Sequence, residues 1–300
     1  MNIDPVVSKL ALFKQLYFPY PPHIEFHEQC KFLIQLGLAT RGQPQMGMRV
    51  VALSGSGKSA AGLALVRLVE AQHPRTKTFV PVVYVVLEKA ATSKNLMMSI
   101  LEYFGDPYSS HGNEQVLKRR VKLCFERFKT MLMIIDEVQH LNYRSYAKND
   151  VTDSLKRLLD DGVVPIVFMG NEEAEELFTK NIQLASRLIA PCDFKKLDLV
   201  NPADRGLFAG YVTKLDQAMV EKRILPELSN LQDPWVLTQF YIVSDGVVGR
   251  ISRLMLIALE IALRRGASRI ERYDLALAVD RWAIPNNVTK LNPFLQEPIL

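Results

Sequence analysis

Residues Val50 to Gly62 read VVALSGSGKSAAG, a run of glycines, hydroxyls and one lysine suited to holding phosphate. Such a loop needs backbone N–H groups turned inward and leading into a helix N-terminus, whose dipole favours anions. It also needs a lysine for the outer phosphates and a hydroxyl for Mg²⁺. Ser54, Gly55, Ser56 and Gly57 supply the loop, Lys58 the charge, Ser59 the hydroxyl and Ala60 the helix start. The usual pattern opens with a glycine where this chain has Ala52. That glycine is the member least involved in touching phosphate, and a methyl there is costly only if φ is positive.

The run MLMIIDE places Asp136 and Glu137 just past a buried strand. Paired acids in that position are commonly solvated loop starters, but GSGKS upstream changes their meaning. Asp136 is placed to hold Mg²⁺ in the neighbourhood of Ser59, and Glu137 can polarise a water for attack on a γ-phosphate. The expected cofactors are therefore ATP and Mg²⁺, and the expected activity is ATP hydrolysis. Further along, FMGN puts Asn171 at a strand end, where it either orients the attacking water or caps the helix EEAEELF. Arg187, in LASRLIAPCDF, and Arg250, in DGVVGRISRL, read by themselves as surface ion-pair residues.

These groups must be positioned by alternating elements. Apolar runs MRVVALS, VPVVYVVL, MLMIIDE and VPIVFMGN alternate with helical patterns, among them KSAAGLALVRLVEAQ and SKNLMMSILEYFG, the latter opened by Ser93. Strands that are apolar throughout imply a parallel sheet covered on both faces, with ligands at the strands' carboxyl ends. After Leu199 the texture is helical only. The expected organisation is a leader over 1–46, an ATPase domain over 47–199, an all-helical domain over 200–281 and an extended tail over 282–300.

Of the 300 residues 48% are hydrophobic and 23% charged, ordinary for a globular protein. The apolar runs are strand-sized, so no membrane partner is expected, and the N-terminus predicts no signal peptide. Cys30, Cys124 and Cys192 are far apart and odd in number, which fits reduced thiols in a cytoplasmic protein. A net charge of +5 permits an acidic partner without requiring one.

In order, the phosphate loop, IIDE, the polar residue after the fourth strand, an arginine before a fifth strand and GxxGR resemble an AAA+ ATPase over roughly residues 24 to 280. IIDEVQHL, GVPIVFMGN and SDGVVGRISRLM are most similar to the TniB and TnsC proteins, ATPase regulators of transposons whose transposase has a DDE fold, with MuB and IstB as more distant relatives. The resemblance implies an α/β fold, an AAA+ P-loop αβα sandwich with parallel sheet plus a small all-helical lid domain. It implies Asp136 and Glu137 as Walker B metal ligand and base, and Asn171 as sensor 1. Arg187 would be an arginine finger acting on a neighbouring subunit, with Lys180 and Arg205 as alternatives, and Arg250 would be sensor 2. It further implies a homo-oligomer, a ring or helical filament, on double-stranded DNA. Lys94, Ser109, Ser110, Lys118, Arg119 and Arg120 would face the DNA, although the KRR run alone reads as a solvated helix face. The remaining partners would be a DDE transposase and a target-selection protein, with hydrolysis driving disassembly. The other readings are a helicase loader or initiator, and a nucleotide-gated signalling or defence switch.

Overall fold

Each apolar run becomes a parallel strand: β1 (Gly47–Val51), β2 (Val82–Val86), β3 (Leu132–Asp136) and β4 (Ile166–Gly170), ordered β1-β4-β3-β2. The structure is a computed structural model that describes residues 4–89, 91–141 and 150–296, Asp150 by its backbone only. The chain divides into two units. One takes Pro21–Ser54 and Lys58–Phe194; the other takes residues 4–20, Gly55–Gly57 and residues 195–296.

In the α/β unit, α2 (Pro21–Ala39) and α3 (Lys58–Gln72) cover one sheet face. The other face is covered by α4 (Ser93–Tyr103), α5 (Glu114–Arg127), α6 (Asp150–Asp160), α7 (Glu175–Lys180) and α8 (Ile182–Ala185). Alternate strand residues serve the two cores. Val50, Val82, Ile134 and Met169 meet Phe26, Leu33 and Leu65, whereas Val83, Val85, Ile135 and Phe168 meet Leu96, Val121, Phe125 and Leu155. Both faces being covered, the strands are mostly apolar; the exceptions are Arg49, which Asp193 pairs, and Asp136 at the carboxyl end of β3. Phe168 is fully buried, and truncating such a ring to alanine costs about 3–5 kcal/mol. The αβα sandwich with a parallel sheet is thus as expected.

The fifth strand expected after Arg187 does not form a regular ladder among the described residues. Residues 187–194 still run along β1: Gly47 donates to the Arg187 carbonyl at 2.9 Å and Ile189 to that of Gly47 at 2.8 Å. Cys192 then donates to Arg49 at 3.0 Å and Phe194 to Val51 at 3.1 Å. The register slips by one residue in between, where Pro191 has no N–H to offer. Asp193 fills the gap, its Oδ1 accepting from the Val51 N–H at 2.7 Å and its Oδ2 from Arg49 Nη2 at 3.1 Å.

The helical unit contains α1 (Pro5–Lys14), α9 (Pro202–Glu221), α10 (Pro234–Ser244), α11 (Val248–Arg264) and α12 (Arg272–Ala278). Its core gathers Phe13, Tyr20, Phe208, Phe240, Leu254, Met255 and Leu259. Residues 1–46 are therefore not one leader. The described residues through Tyr20 join the helical unit by burying Phe13 and Tyr20, and α2 joins the sheet by burying Phe26, Cys30 and Leu33.

The tail also differs from the extended appendage expected. Phe294 is buried between Trp235 and Phe240, at ring distances of 6.1 and 5.7 Å, and Arg272 Nε donates to its carbonyl at 2.7 Å. Residues 297–300 lie outside the described residues. Helix α4 is opened by Thr92, whose hydroxyl accepts from Asn95 N–H at 3.2 Å, and not by Ser93, which is buried and bonded to Ser154 at 2.8 Å. Cys30, Cys124 and Cys192 are free, and burial pushes the Cys192 thiol up to about 12, the behaviour of an inert structural thiol. No helix among the described residues is long and apolar enough to cross a membrane.

Candidate nucleotide site

The phosphate loop leaves β1 at its carboxyl end and enters α3 at Lys58. Gly55 and Gly57 take φ of +82° and +89°, the left-handed region that glycine enters without a Cβ penalty. Ala52 is not among the residues of positive φ. It is buried, its N–H donates to the Gly170 carbonyl at 3.1 Å, and its methyl joins the core facing α3. The replaced glycine therefore causes no backbone strain.

Lys58 is buried, and its ammonium donates to the Ala52 carbonyl at 3.1 Å. Burial lowers its pKa from the ordinary lysine value, opposed by the charges of Glu137, Asp136 and Glu172. A desolvated ammonium of this kind gains most from an anion in direct contact. Ser56 Oγ is likewise buried and has no hydrogen-bond partner among the described residues. An orphaned hydroxyl inside a glycine loop fits a phosphate ligand.

Ser59 Oγ donates to Asp136 Oδ2 at 2.6 Å, joining the loop to the end of β3. A hydroxyl and a carboxylate are hard oxygen donors, the set Mg²⁺ accepts when phosphates and water complete its shell. Among the described residues no cluster of three or more His, Cys, Asp or Glu could hold a metal. Tyr84, from β2, donates to the same Asp136 Oδ2 at 2.6 Å, while Asp136 Oδ1 accepts from the Glu137 N–H at 2.8 Å.

Glu137 has φ 62° and ψ 38°, a left-handed conformation uncommon for a residue with a side chain. Strain of this kind persists only where neighbours hold it. Gln139 is one such neighbour: its Nε2 donates to Glu137 Oε2, and its Oε1 accepts from the Asn171 N–H at 3.1 Å. Gly170 makes room, since a Cβ there would lie 2.9 Å from Gln139 Oε1 and 2.5 Å from the Ala174 Cβ. Asn171 uses its own Oδ1 to cap the turn Glu172–Ala174, accepting from Glu173 N–H at 3.0 Å. The cap alternative is thus realised, and its backbone is tied to Glu137 through Gln139.

Arg187 is engaged by Asp160 in a two-pronged ion pair, Nε–Oδ1 2.6 Å and Nη2–Oδ2 2.8 Å. It stands beside Gly47, the amino end of β1, whereas the phosphate loop follows the carboxyl end, about 13 Å of strand away. Lys180 pairs with Glu176. Arg250 lies in the first turn of α11, its Nη1 donating to the Ser244 carbonyl at 3.3 Å. Within the same unit, a Cβ on Gly55 would lie 3.6 Å from the Arg250 Cγ.

Among the described residues, the basic residues proposed for DNA divide into exposed and committed groups. Lys94 and Arg119 are exposed on α4 and α5. Lys118 pairs with Glu114. Arg120 binds Asp106 and the carbonyls of Tyr108 and His111, at 2.7 and 3.1 Å, and so fastens the loop holding Ser109 and Ser110. Tyr84 and Gln139 were missed as site residues. Gln139 sits within IIDEVQHL, yet no local spacing signals that its amide turns back to Glu137. Tyr84 is 52 residues before Asp136 and reaches it only through strand pairing.

The fold resembles that of the Aeropyrum pernix ORC1 protein solved in complex with DNA, at a TM-score of 0.65 and 19% identity, over 91% of this chain and 69% of that one. The A. pernix ORC2 protein, solved in ADPNP-ADP complexes, gives 0.67 and 16%, over 90% and 71%. CDC6P from Pyrobaculum aerophilum gives 0.64 and 15%, over 90% and 70%. At these identities the likeness speaks for the fold alone. Comparison with curated proteins found no match. The family model described as "Bacterial TniB protein" matches residues 19–195, a span holding the loop, the acid pair, Gln139 and Asn171, and the chain belongs to that family.

Proposed function

We propose that this chain is an ATP-hydrolysing regulator of DNA transposition, which assembles on double-stranded DNA with little regard to sequence and recruits a DDE transposase. The observation that carries the nucleotide part is the junction of Lys58, Ser59, Asp136 and Glu137 at the carboxyl ends of β1 and β3. Family membership supports the rest, as does the fold shared with an ORC1 protein in complex with DNA. Gly55, Ser56 and Gly57 would cradle the phosphates with their N–H groups, and Lys58 would exchange the Ala52 carbonyl for outer phosphate oxygens. Ser59 and Asp136 would hold Mg²⁺, which supplies charge neutralisation between the phosphates. Glu137, held by Gln139, would take the proton of the attacking water.

Arg187 cannot reach its own loop and would act on a neighbouring copy, leaving Asp160 as the copies join. Arg250 would meet the γ-phosphate from α11. Hydrolysis then removes the ligand that bridges copies, and the assembly comes apart. Lys94 and Arg119 would supply phosphate contacts without base reading.

The test combines electron microscopy of the purified protein on duplex DNA with ATPase assays. Assemblies that require ATP or a slowly hydrolysed analogue, on DNA of arbitrary sequence, are expected. Absence of DNA association at low salt with every nucleotide would sink the proposal, and binding confined to one sequence would favour an initiator instead. For the trans arginine, Lys58→Ala and Arg187→Ala proteins should each be inactive and regain turnover when mixed. Failure of the mixture to recover would remove Arg187 from that role.

A further inference from the structure

Tyr84 is the single aromatic residue of β2, whose other members are valines. Its ring lies on the α3 side of the sheet, packed against the core of Val82, Ile134, Leu65 and Met169. A phenol in such surroundings needs a partner for its hydroxyl. It finds Asp136 Oδ2 at 2.6 Å, the same oxygen that Ser59 reaches at 2.6 Å. The ring fits because α3 carries Gly62, where a Cβ would lie 2.8 Å from the Tyr84 Cε2. Glycine is unfavourable inside a helix, and the Tyr84 ring is a packing reason for it here.

We propose that Tyr84 is the positioning residue of the divalent-cation site, fixing the Asp136 carboxylate so that the ion meets it in one orientation. This rests on the nucleotide reading above. Ser59 can rotate its hydroxyl toward an arriving ion; Tyr84, wedged over Gly62, holds Oδ2 and the Glu137 N–H holds Oδ1, so Asp136 stays oriented while Ser59 changes partner. Partners of this kind behind metal ligands are worth about 10–100-fold in metal affinity.

The experiment uses the full chain carrying Glu137→Gln, so that ligand is not consumed, and follows binding of a fluorescent ATP analogue while Mg²⁺ is added. Tyr84→Phe keeps the ring and loses the hydroxyl. It should bind the analogue in EDTA as the parent does and need about tenfold more Mg²⁺ for the half-maximal effect. Gly62→Ala, which displaces the ring, should shift the Mg²⁺ midpoint in the same direction and carries the test if Tyr84→Phe folds poorly. An unchanged midpoint in both variants, or equal losses with and without Mg²⁺, would overturn the proposal. If the parent bound no analogue at any Mg²⁺ concentration, the nucleotide reading would fall and this proposal with it. That result is distinct from a parent that responds to Mg²⁺ and variants that respond identically.

Discussion

The carboxyl ends of β1 and β3 and the outer surface of α4 and α5 both concentrate polar chemistry, yet they are built in opposite ways. At the strand ends, Lys58 and Asp136 are buried, and Ser59, Tyr84 and Gln139 direct protons onto two carboxylates. On the helices, Lys94 and Arg119 are exposed, while Lys118 and Arg120 already hold acids of their own chain. In a partly buried, linked network each group depends on the next, so one deletion should be felt throughout. On a wet surface each charge acts nearly alone and is screened by salt. A precise chemical step belongs at the first place, and graded, additive attraction at the second.

The largest effect should come from Lys58→Ala, with turnover down about 10³-fold and nucleotide binding lost, read by ATPase assay and analogue titration. Normal binding in that variant would mean the loop does not hold phosphate through Lys58. Glu137→Gln should lower turnover by about 10²–10⁴-fold while leaving binding intact. Turnover at the parent's rate would dismiss Glu137 as the base. Gln139→Ala should cost about tenfold in kcat with little change in KM, and Gly170→Ala should resemble it because its Cβ meets the Gln139 amide. An equal loss in KM would mark Gln139 as structural filling.

On the surface the contrast predicts smaller, additive losses. Lys94→Ala and Arg119→Ala should each reduce the slope of DNA affinity against salt by about one, with nucleotide binding unchanged. Arg120→Ala should instead loosen residues 106–111, detectable as faster hydrogen exchange there. If Arg120→Ala changed only the salt slope, the division into exposed and committed cations would be wrong.

The smallest effect concerns His27, buried beside α3 with its Nε2 3.0 Å from the Ala61 carbonyl. Burial, with help from the Lys31 charge, lowers its pKa below the ordinary 6.5. Below about pH 6.5 the unfolded chain then binds more protons than the folded one, so stability falls as pH falls through that window and levels off once the folded imidazole is itself charged. The urea midpoint should drop between about pH 7.5 and 5.5, and His27→Gln should flatten that drop.

How much of this was legible in the sequence follows the same division. Helix α3 runs over Lys58–Gln72 as read, because a glycine loop and a small-residue packing face are local signals. The four strands were legible for the same reason, being runs dominated by apolar residues. The fifth failed at Pro191, where one missing N–H and one extra residue break the ladder without breaking the apolar pattern. The leader around Phe13 and the tail around Phe294 gave no sign of joining the helical core, because short segments that dock on a core distant in sequence carry no periodicity of their own. Asp136 and Glu137 announce themselves by type and place. Tyr84, which orients the first of them, reads as one more β-strand aromatic until the register pairs Val86 with Asp136.

The broken border beside β1 has a consequence for how the protein keeps to itself. A regular outer strand is a row of unpaired N–H and C=O groups onto which another chain can lie down. Here that border is interrupted at Pro191, and one of its hydrogen bonds to Val51 is made by the Asp193 carboxylate and not by backbone. A stray strand would find the row out of step. Extension of this sheet past residues 187–194 is therefore disfavoured, and a contact along that side falls more to side chains than to backbone.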